Sequence, residues 1–204
     1  MPGLPTFWLK LVTHVGALLP LALIIWDFTR DQLTADPIRE ITLRTGSYSL
    51  ILLVLSLACT PLSNVFGLKL ALLLRRPLGL YGFIYAVLHV LNFIGLDYRF
   101  DLNLLREDVF GKVYIWVGLA AWLALLPVAI TSTRGWRQRL GRNWARLHWL
   151  VYPAILLSVA HFLLLVKADI REPLLYGIIT LLWLFLRWPG VKKVVRYPRR
   201  WFQK

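Results

Sequence analysis

The sequence predicts an all-α integral membrane protein, a bundle of six transmembrane helices with both termini on the cytoplasmic side. Three observations carry that prediction. Hydrophobic residues make up 58% of the 204 and the mean hydropathy is +0.63, whereas a soluble domain is roughly 45–50% apolar and does not gather those residues into long blocks. The apolar residues fall into stretches of about 20, the length that crosses a hydrocarbon core. All four histidines, His14, His89, His148 and His161, lie inside those stretches. A polar side chain in hydrocarbon usually faces the bundle interior and has a function there.

The spans are expected at roughly 9–28, 47–66, 77–96, 113–131, 147–166 and 174–190, forming one domain over residues 1–204, with boundaries good to about 2–4 residues. The first, LKLVTHVGALLPLALIIW, runs on to Trp26 and meets DFTR without a small-x-small cleavage site, so it reads as a retained span rather than a removed signal peptide. The second carries the single cysteine, Cys59, which reads as a small packing residue. The third contains LYGFIYAVLHVLNFIGL with His89, and the fifth LHWLVYPAILLSVAHFLLLV with His148 and His161. Pro20, Pro127 and Pro153 fall inside spans and are expected to kink them. Neighbouring helices in a membrane bundle re-satisfy the carbonyls so freed. No internal repeat, low-complexity segment or nucleotide-binding motif is evident.

The loops set the orientation. Lys69, Arg75 and Arg76 between spans two and three, and Arg134, Arg137, Arg139, Arg142 and Arg146 between four and five, have no acid among them. The tail adds Lys192, Lys193, Arg196, Arg199, Arg200 and Lys204. The remaining loops mix signs, as in Asp97, Arg99, Asp101, Arg106, Glu107, Asp108 and Lys112. Lys and Arg accumulate on the cytoplasmic side, so the even-numbered loops and both termini face inward. That bias also accounts for the net charge of +14, and nucleic-acid binding is not expected.

Spans three and five then run parallel. His148 and His161 are 161 − 148 = 13 residues apart, about 19.5 Å at 1.5 Å per residue. His89 is 89 − 75 = 14 residues beyond Arg75, about 21 Å. The two rulers pair His89 with His161 at an outer level and Arg75 or Arg76 with His148 at an inner one. Two imidazoles at one depth on neighbouring helices can clamp a haem iron from both faces. Without C-x-x-C-H the haem would be held non-covalently, and one cysteine cannot ligate an iron–sulfur cluster. One difficulty is rotational: 13 steps of about 100° turn the side chain by a net 220°, so His148 and His161 share no face of a straight helix unless Pro153 bends it. His14 reads as a hydrogen-bonding helix residue, with a quinone or flavin site near the inner face as its rival role.

Four blocks carry a resemblance: THVGALLP at 13–20, ADPIREITLRTG at 35–46, RRPLGLYGFIYAVLH at 75–89 and ITSTRGWRQRLGRNWARLHWLVYPAILLSVAH at 130–161. Over nearly its whole length the chain resembles the MsrQ (YedZ) family of haem-binding membrane subunits, within the ferric-reductase-like transmembrane superfamily. The resemblance implies b-type haem, one or two, and electron delivery to a periplasmic molybdopterin enzyme that reduces methionine sulfoxide in proteins. It implies that His89 and His161 are the outer-haem ligands and His148 a third haem-associated, metal-ligating histidine. The eukaryotic relatives, the NADPH oxidases, carry two histidines on each equivalent span; here Arg75 stands in the inner slot of span three and is a cofactor-binding candidate. The family is also described as binding FMN, for which no residue pattern here gives a place.

The expectation is therefore a multi-pass electron carrier of the bacterial inner membrane, not a catalytic subunit. Its donor is the quinone pool or a cytoplasmic flavin reductase, and its acceptor is the periplasmic reductase, approached across the acidic residues Asp97, Asp101, Glu107 and Asp108. The alternatives are a ferric reductase or b561-like quinol oxidoreductase with another acceptor, and a haem-free transporter or scaffold.

Overall fold

The computed structural model describes residues 4–166, 168–188 and 190, and among them there is no strand. The helices are α1 (Leu4–Thr29), α2 (Pro37–Asn64), α3 (Ala71–Leu91), α4 (Leu102–Gly111), α5 (Val113–Ile130), α6 (Arg134–Leu140), α7 (Arg142–Leu147), α8 (Val151–Leu165) and α9 (Arg171–Leu186). A π turn, Asn92–Asp97, prolongs α3, and a 3₁₀ turn, His148–Leu150, leads into α8.

Five stretches are long and apolar enough to cross a membrane: Thr6–Thr29, Pro37–Asn64, Ala71–Asp97, Val113–Ile130 and Arg142–Leu165. They coincide with the first five expected spans. The sixth, expected at 174–190, overlaps α9, whose 16 residues rise about 24 Å against a core of about 30 Å. The helices thus support five crossings directly and leave α9 short. Lys167 and the basic tail at 191–204 lie outside the described residues.

Local chemistry explains the helix starts. Pro37 opens α2 in the first turn, where its missing N–H is no loss, and the Asp36 carboxylate accepts from the Arg39 N–H. The third loop, expected as a connection, contains α4, begun by Asp101, whose carboxylate accepts from the N–H groups of Asn103 and Leu104. The arginine-rich loop is an elbow of two short helices. Thr133 caps α6 by accepting from Trp136 N–H, and Gly141 turns the chain into α7 at a φ of +50°, a conformation that L side chains rarely adopt.

Two helix pairs dominate the packing, α2 with α3 and α5 with α8. Leu50, Leu53, Val54 and Leu57 of α2 meet Leu125 of α5 and Ala154, Ile155 and Val159 of α8 in one buried cluster. Gly82 lets α3 come close to α2, since a Cβ there would lie 2.8 Å from Leu53 Cγ, and Ser49 Oγ donates to Gly82 O at 2.8 Å. Cys59 is buried, as expected of a packing residue. On the other flank Tyr85 donates to Ala17 O at 2.8 Å and ties α1 to α3. Arg187, just past α9, donates to Tyr152 Oη, Leu57 O and Thr60 Oγ1, fastening that helix to α8 and α2. The exposed faces of α1 and α9 present Val12, Leu19, Ile25, Ile178, Leu181 and Phe185, the surface a lipid-facing helix requires.

Candidate functional site

His89 on α3 and His161 on α8 come together between the two helix pairs, their ring centres 6.0 Å apart and their planes at 85°. Each ring is anchored in the same way. His89 Nδ1 lies 2.8 Å from Thr42 O on α2, and His161 Nδ1 lies 2.7 Å from Tyr114 O on α5. A carbonyl only accepts, so both Nδ1 atoms carry the proton and Nε2 is the nitrogen left for a ligand.

A glycine completes each anchor. In a helix the carbonyl of residue i points toward residue i+4, so a ring reaching Thr42 O lies over Gly46, and one reaching Tyr114 O lies over Gly118. A Cβ at Gly46 would stand 3.0 Å from His89 Nδ1, and one at Gly118 would stand 2.6 Å from His161 Nδ1. The imidazoles occupy the places where methyl groups would be.

The two anchors are related by a constant shift along the chain. Each histidine follows its carbonyl by 47 residues, and 161 − 89, 118 − 46 and 114 − 42 all equal 72. The same shift carries buried Leu53 onto buried Leu125 and Gly82 onto the fully buried Ala154. The pairs α2–α3 and α5–α8 therefore share one histidine-anchoring arrangement, displaced by 72 residues, that inspection of the sequence alone misses.

At the other end of the bundle the same shift sets Arg76 against His148. Arg75, Arg76 and His148 line a cavity of about 420 Å³ together with Arg134, Arg137 and Trp144, so the inner level has one imidazole facing guanidinium groups. His148 stacks on Trp144 at 3.9 Å, its Nδ1 lies 3.0 Å from Trp144 O, and its Nε2 is buried with no hydrogen-bond partner. Arg137 lies over the other ring of the stack, 5.3 Å from the Trp144 centre, and Trp144 Nε1 donates to Thr131 O at 2.9 Å.

The rotational difficulty is met before Pro153 rather than at it. Pro153 stands in the first turn of α8, where proline is tolerated. The 3₁₀ turn at His148–Leu150 advances about 120° per residue, which closes the angle between His148 and His161 from about 140° to about 80°. His14 lies apart from the inner cavity: its Nδ1 is 2.9 Å from Tyr81 Oη. At the acidic rim Asp97 is exposed, Asp101 is engaged as the cap of α4, and the side chains of Glu107 and Asp108 lie outside the described residues.

Among the described residues no three His, Cys, Asp or Glu side chains gather into a metal cluster. A facing imidazole pair instead suits a metal that brings its other ligands with it. With nitrogen–metal bonds of about 2 Å, an iron held by both Nε2 atoms would set the two ring centres roughly 6 Å apart. The observed 6.0 Å agrees, and the paired glycines fit the two rings alone.

Residues 45–159 match the family model described as the ferric reductase like transmembrane component. A protein of Xanthomonas axonopodis pv. citri named protein-methionine-sulfoxide reductase heme-binding subunit MsrQ is 48% identical over 192 residues, covering 91% of this chain and 87% of its own length. The Rhodospirillum rubrum protein of the same name is 44% identical over 186 residues, covering 90% and 89%. With the family model matching more than half of its length and relatives this similar along most of it, the chain belongs to the MsrQ family of ferric-reductase-like transmembrane proteins.

Proposed function

We propose that this chain is a b-type haem-binding electron-transfer subunit of the bacterial inner membrane. Its partner is a periplasmic molybdopterin enzyme that reduces methionine sulfoxide, and its donor is the quinone pool or a cytoplasmic flavin reductase. One observation carries the reading. His89 and His161 stand with ring centres 6.0 Å apart, each with Nδ1 on a backbone carbonyl, so that both would be available to hold a haem iron through Nε2. The names of the relatives, which describe heme-binding subunits of a methionine sulfoxide reductase, point the same way.

When bound between His89 and His161, haem would supply a one-electron couple. The chain's own part is to hold and orient. The Thr42 and Tyr114 carbonyls fix the tautomer and aim of each imidazole and raise its basicity toward a metal. Gly46 and Gly118 let the rings reach those carbonyls. The apolar helix faces around them exclude water and keep the local dielectric low. No side chain acts as nucleophile or base.

We further infer six crossings with both termini cytoplasmic, α9 being the sixth. The basic elbow Arg134–Leu147 then lies on the donor side, and the loop at 97–112 lies on the acceptor side.

The test is the visible spectrum of the purified protein and of His89→Ala and His161→Ala. The wild type is expected to show a low-spin, reduced α-band that both variants lose while keeping their helical circular dichroism. An unchanged haem-to-protein ratio in both variants sinks the assignment.

A further inference from the structure

Every acidic residue of this chain belongs to one end of the bundle. The ten fall at 27–40, 97–108 and 169–172, in the α1–α2, α3–α5 and α8–α9 connections and the turns beside them. None stands in the α2–α3 connection or in the α6–α7 elbow, which alternate with those along the chain. Between Asp108 and Asp169 the elbow contributes Arg134, Arg137, Arg139, Arg142 and Arg146 against no acid. A guanidinium keeps its charge at any physiological pH, so the counter-charge of the elbow comes from outside the chain.

The elbow divides its arginines between two faces. Arg134 and Arg137 turn to the inner cavity with Trp144. Arg139, Arg142 and Arg146 are exposed and line no part of that cavity. Among the described residues none of the three has an ion pair. Trp136 is exposed beside them, with the Arg139 guanidinium 5.6 Å from its ring centre. The positive-inside bias accounts for the sign of this face but not for what neutralises it.

Height decides the partner. α6 begins four residues after α5 ends, and α7 runs directly into the turn that opens α8, so the elbow stays close to the ends of both helices. Arg142 and Arg146 stand in the first turns of the membrane-length stretch Arg142–Leu165. Trp149 and Trp188, at the same end of α8 and α9, are each 68% exposed, and tryptophans at span ends sit at the headgroup level. The anion concentrated at that level is lipid phosphate. Guanidinium binds phosphate through two parallel N–H···O bonds, and an indole carrying a cation on its face suits the same boundary.

We propose that the exposed face of the elbow, Arg139, Arg142 and Arg146 with Trp136, binds the headgroup of an anionic phospholipid. The lipid neutralises charge that the chain leaves unpaired and holds the elbow against the bilayer. Nothing in this site depends on haem, so its test and that of the proposed function fail separately.

The delipidated full-length protein in detergent is titrated with dioleoylphosphatidylglycerol in one arm and dioleoylphosphatidylcholine in the other, and native mass spectrometry counts the bound lipid. The anionic lipid is expected to bind at least about tenfold more tightly, and less so as salt is raised. Arg142→Gln alone should weaken it about fivefold, the worth of one cation at an anionic surface. The triple variant Arg139→Gln, Arg142→Gln, Arg146→Gln should erase the preference while helical circular dichroism is kept. A control triple at the opposite end, Arg99→Gln, Arg106→Gln, Arg171→Gln, removes the same charge and should leave the preference as it was. Equal affinity for the two lipids in the wild type overturns the site, as does a preference that survives the elbow triple or falls equally in the control. Slower reduction of the protein by a cytoplasmic extract in the elbow triple, with lipid preference unchanged, would assign the face to an acidic protein instead and overturn the lipid site.

Discussion

Gly118 stands where His161 leaves no room for a methyl group: a Cβ there would lie 2.6 Å from Nδ1, 2.8 Å from Cε1 and 3.2 Å from Cγ. The contact involves the body of the ring rather than a flexible tip, and the bond from the same Nδ1 to Tyr114 O holds the ring down against Gly118. Neither partner can retreat without losing the geometry of the site.

Gly118→Ala is therefore expected to displace His161 and lower the haem-to-protein ratio. Overpacking of this kind costs about 1–3 kcal/mol, enough to weaken haem retention by roughly tenfold. Gly46→Ala, where the nearest ring atom would be 3.0 Å away, should have a smaller effect in the same direction. Haem content measured side by side decides it; an unaltered Gly118→Ala spectrum would show that the ring has freedom the packing does not suggest.

Asp101 serves α4 as its cap, which separates two effects of changing it. Asp101→Asn keeps a capping side chain and removes the charge, whereas Asp101→Lys removes both and should destabilise the helix start by about 1 kcal/mol. If the acidic rim steers a periplasmic partner, Asp97→Lys and Asp101→Asn should slow electron delivery most at low salt, because screening shortens the reach of surface charge. Stopped-flow transfer at two ionic strengths measures this, and rates insensitive to both salt and substitution would remove the rim from the docking surface.

The proposed orientation is open to cysteine labelling. Cys59 is buried and should contribute little background. Single cysteines at 97–101 are expected to react with an impermeant maleimide from the periplasmic side, and those at 137–142 only after the inner face is exposed. The opposite pattern would reverse both the topology and the direction of electron flow.

Arg187 binds Tyr152, Leu57 and Thr60 at once, so it closes α9 onto the bundle. Arg187→Ala should lower the thermal midpoint more than Tyr152→Phe, which removes only one of those bonds, worth about 1 kcal/mol. Equal midpoints for wild type and Arg187→Ala would mean that apolar packing against α2 and α8 holds α9 without those bonds.

The level at which each histidine sits was legible because helix rise converts residue counts directly to depth. Counting 13 from His148 and 14 from Arg75 paired His89 with His161 and the arginines with His148, as observed. What resisted reading follows from the backbone. The anchors of His89 and His161 are carbonyls, which every residue has, so nothing in the letters of Thr42 or Tyr114 marks them out. For the same reason the 72-residue displacement is faint: few positions in either pair are constrained in side-chain type, and Arg76 differs from His148. The 3₁₀ turn at His148–Leu150 carries no residue type that marks it, whereas Pro153 does nothing unusual in the first turn of α8. α4 lies in a loop whose charges read as solvent-facing but whose Asp101 starts a helix.

An alanine scan would give a misleading map of this protein. Truncating Thr42 leaves the carbonyl that holds His89 in place, so that anchor would score as dispensable, and at Tyr114 the scan would read the loss of the ring packed 5.9 Å from His161 while the anchoring carbonyl stayed. At Gly46 and Gly118 the same scan adds an atom instead of removing one, and the most sensitive positions would be those with no side chain to delete.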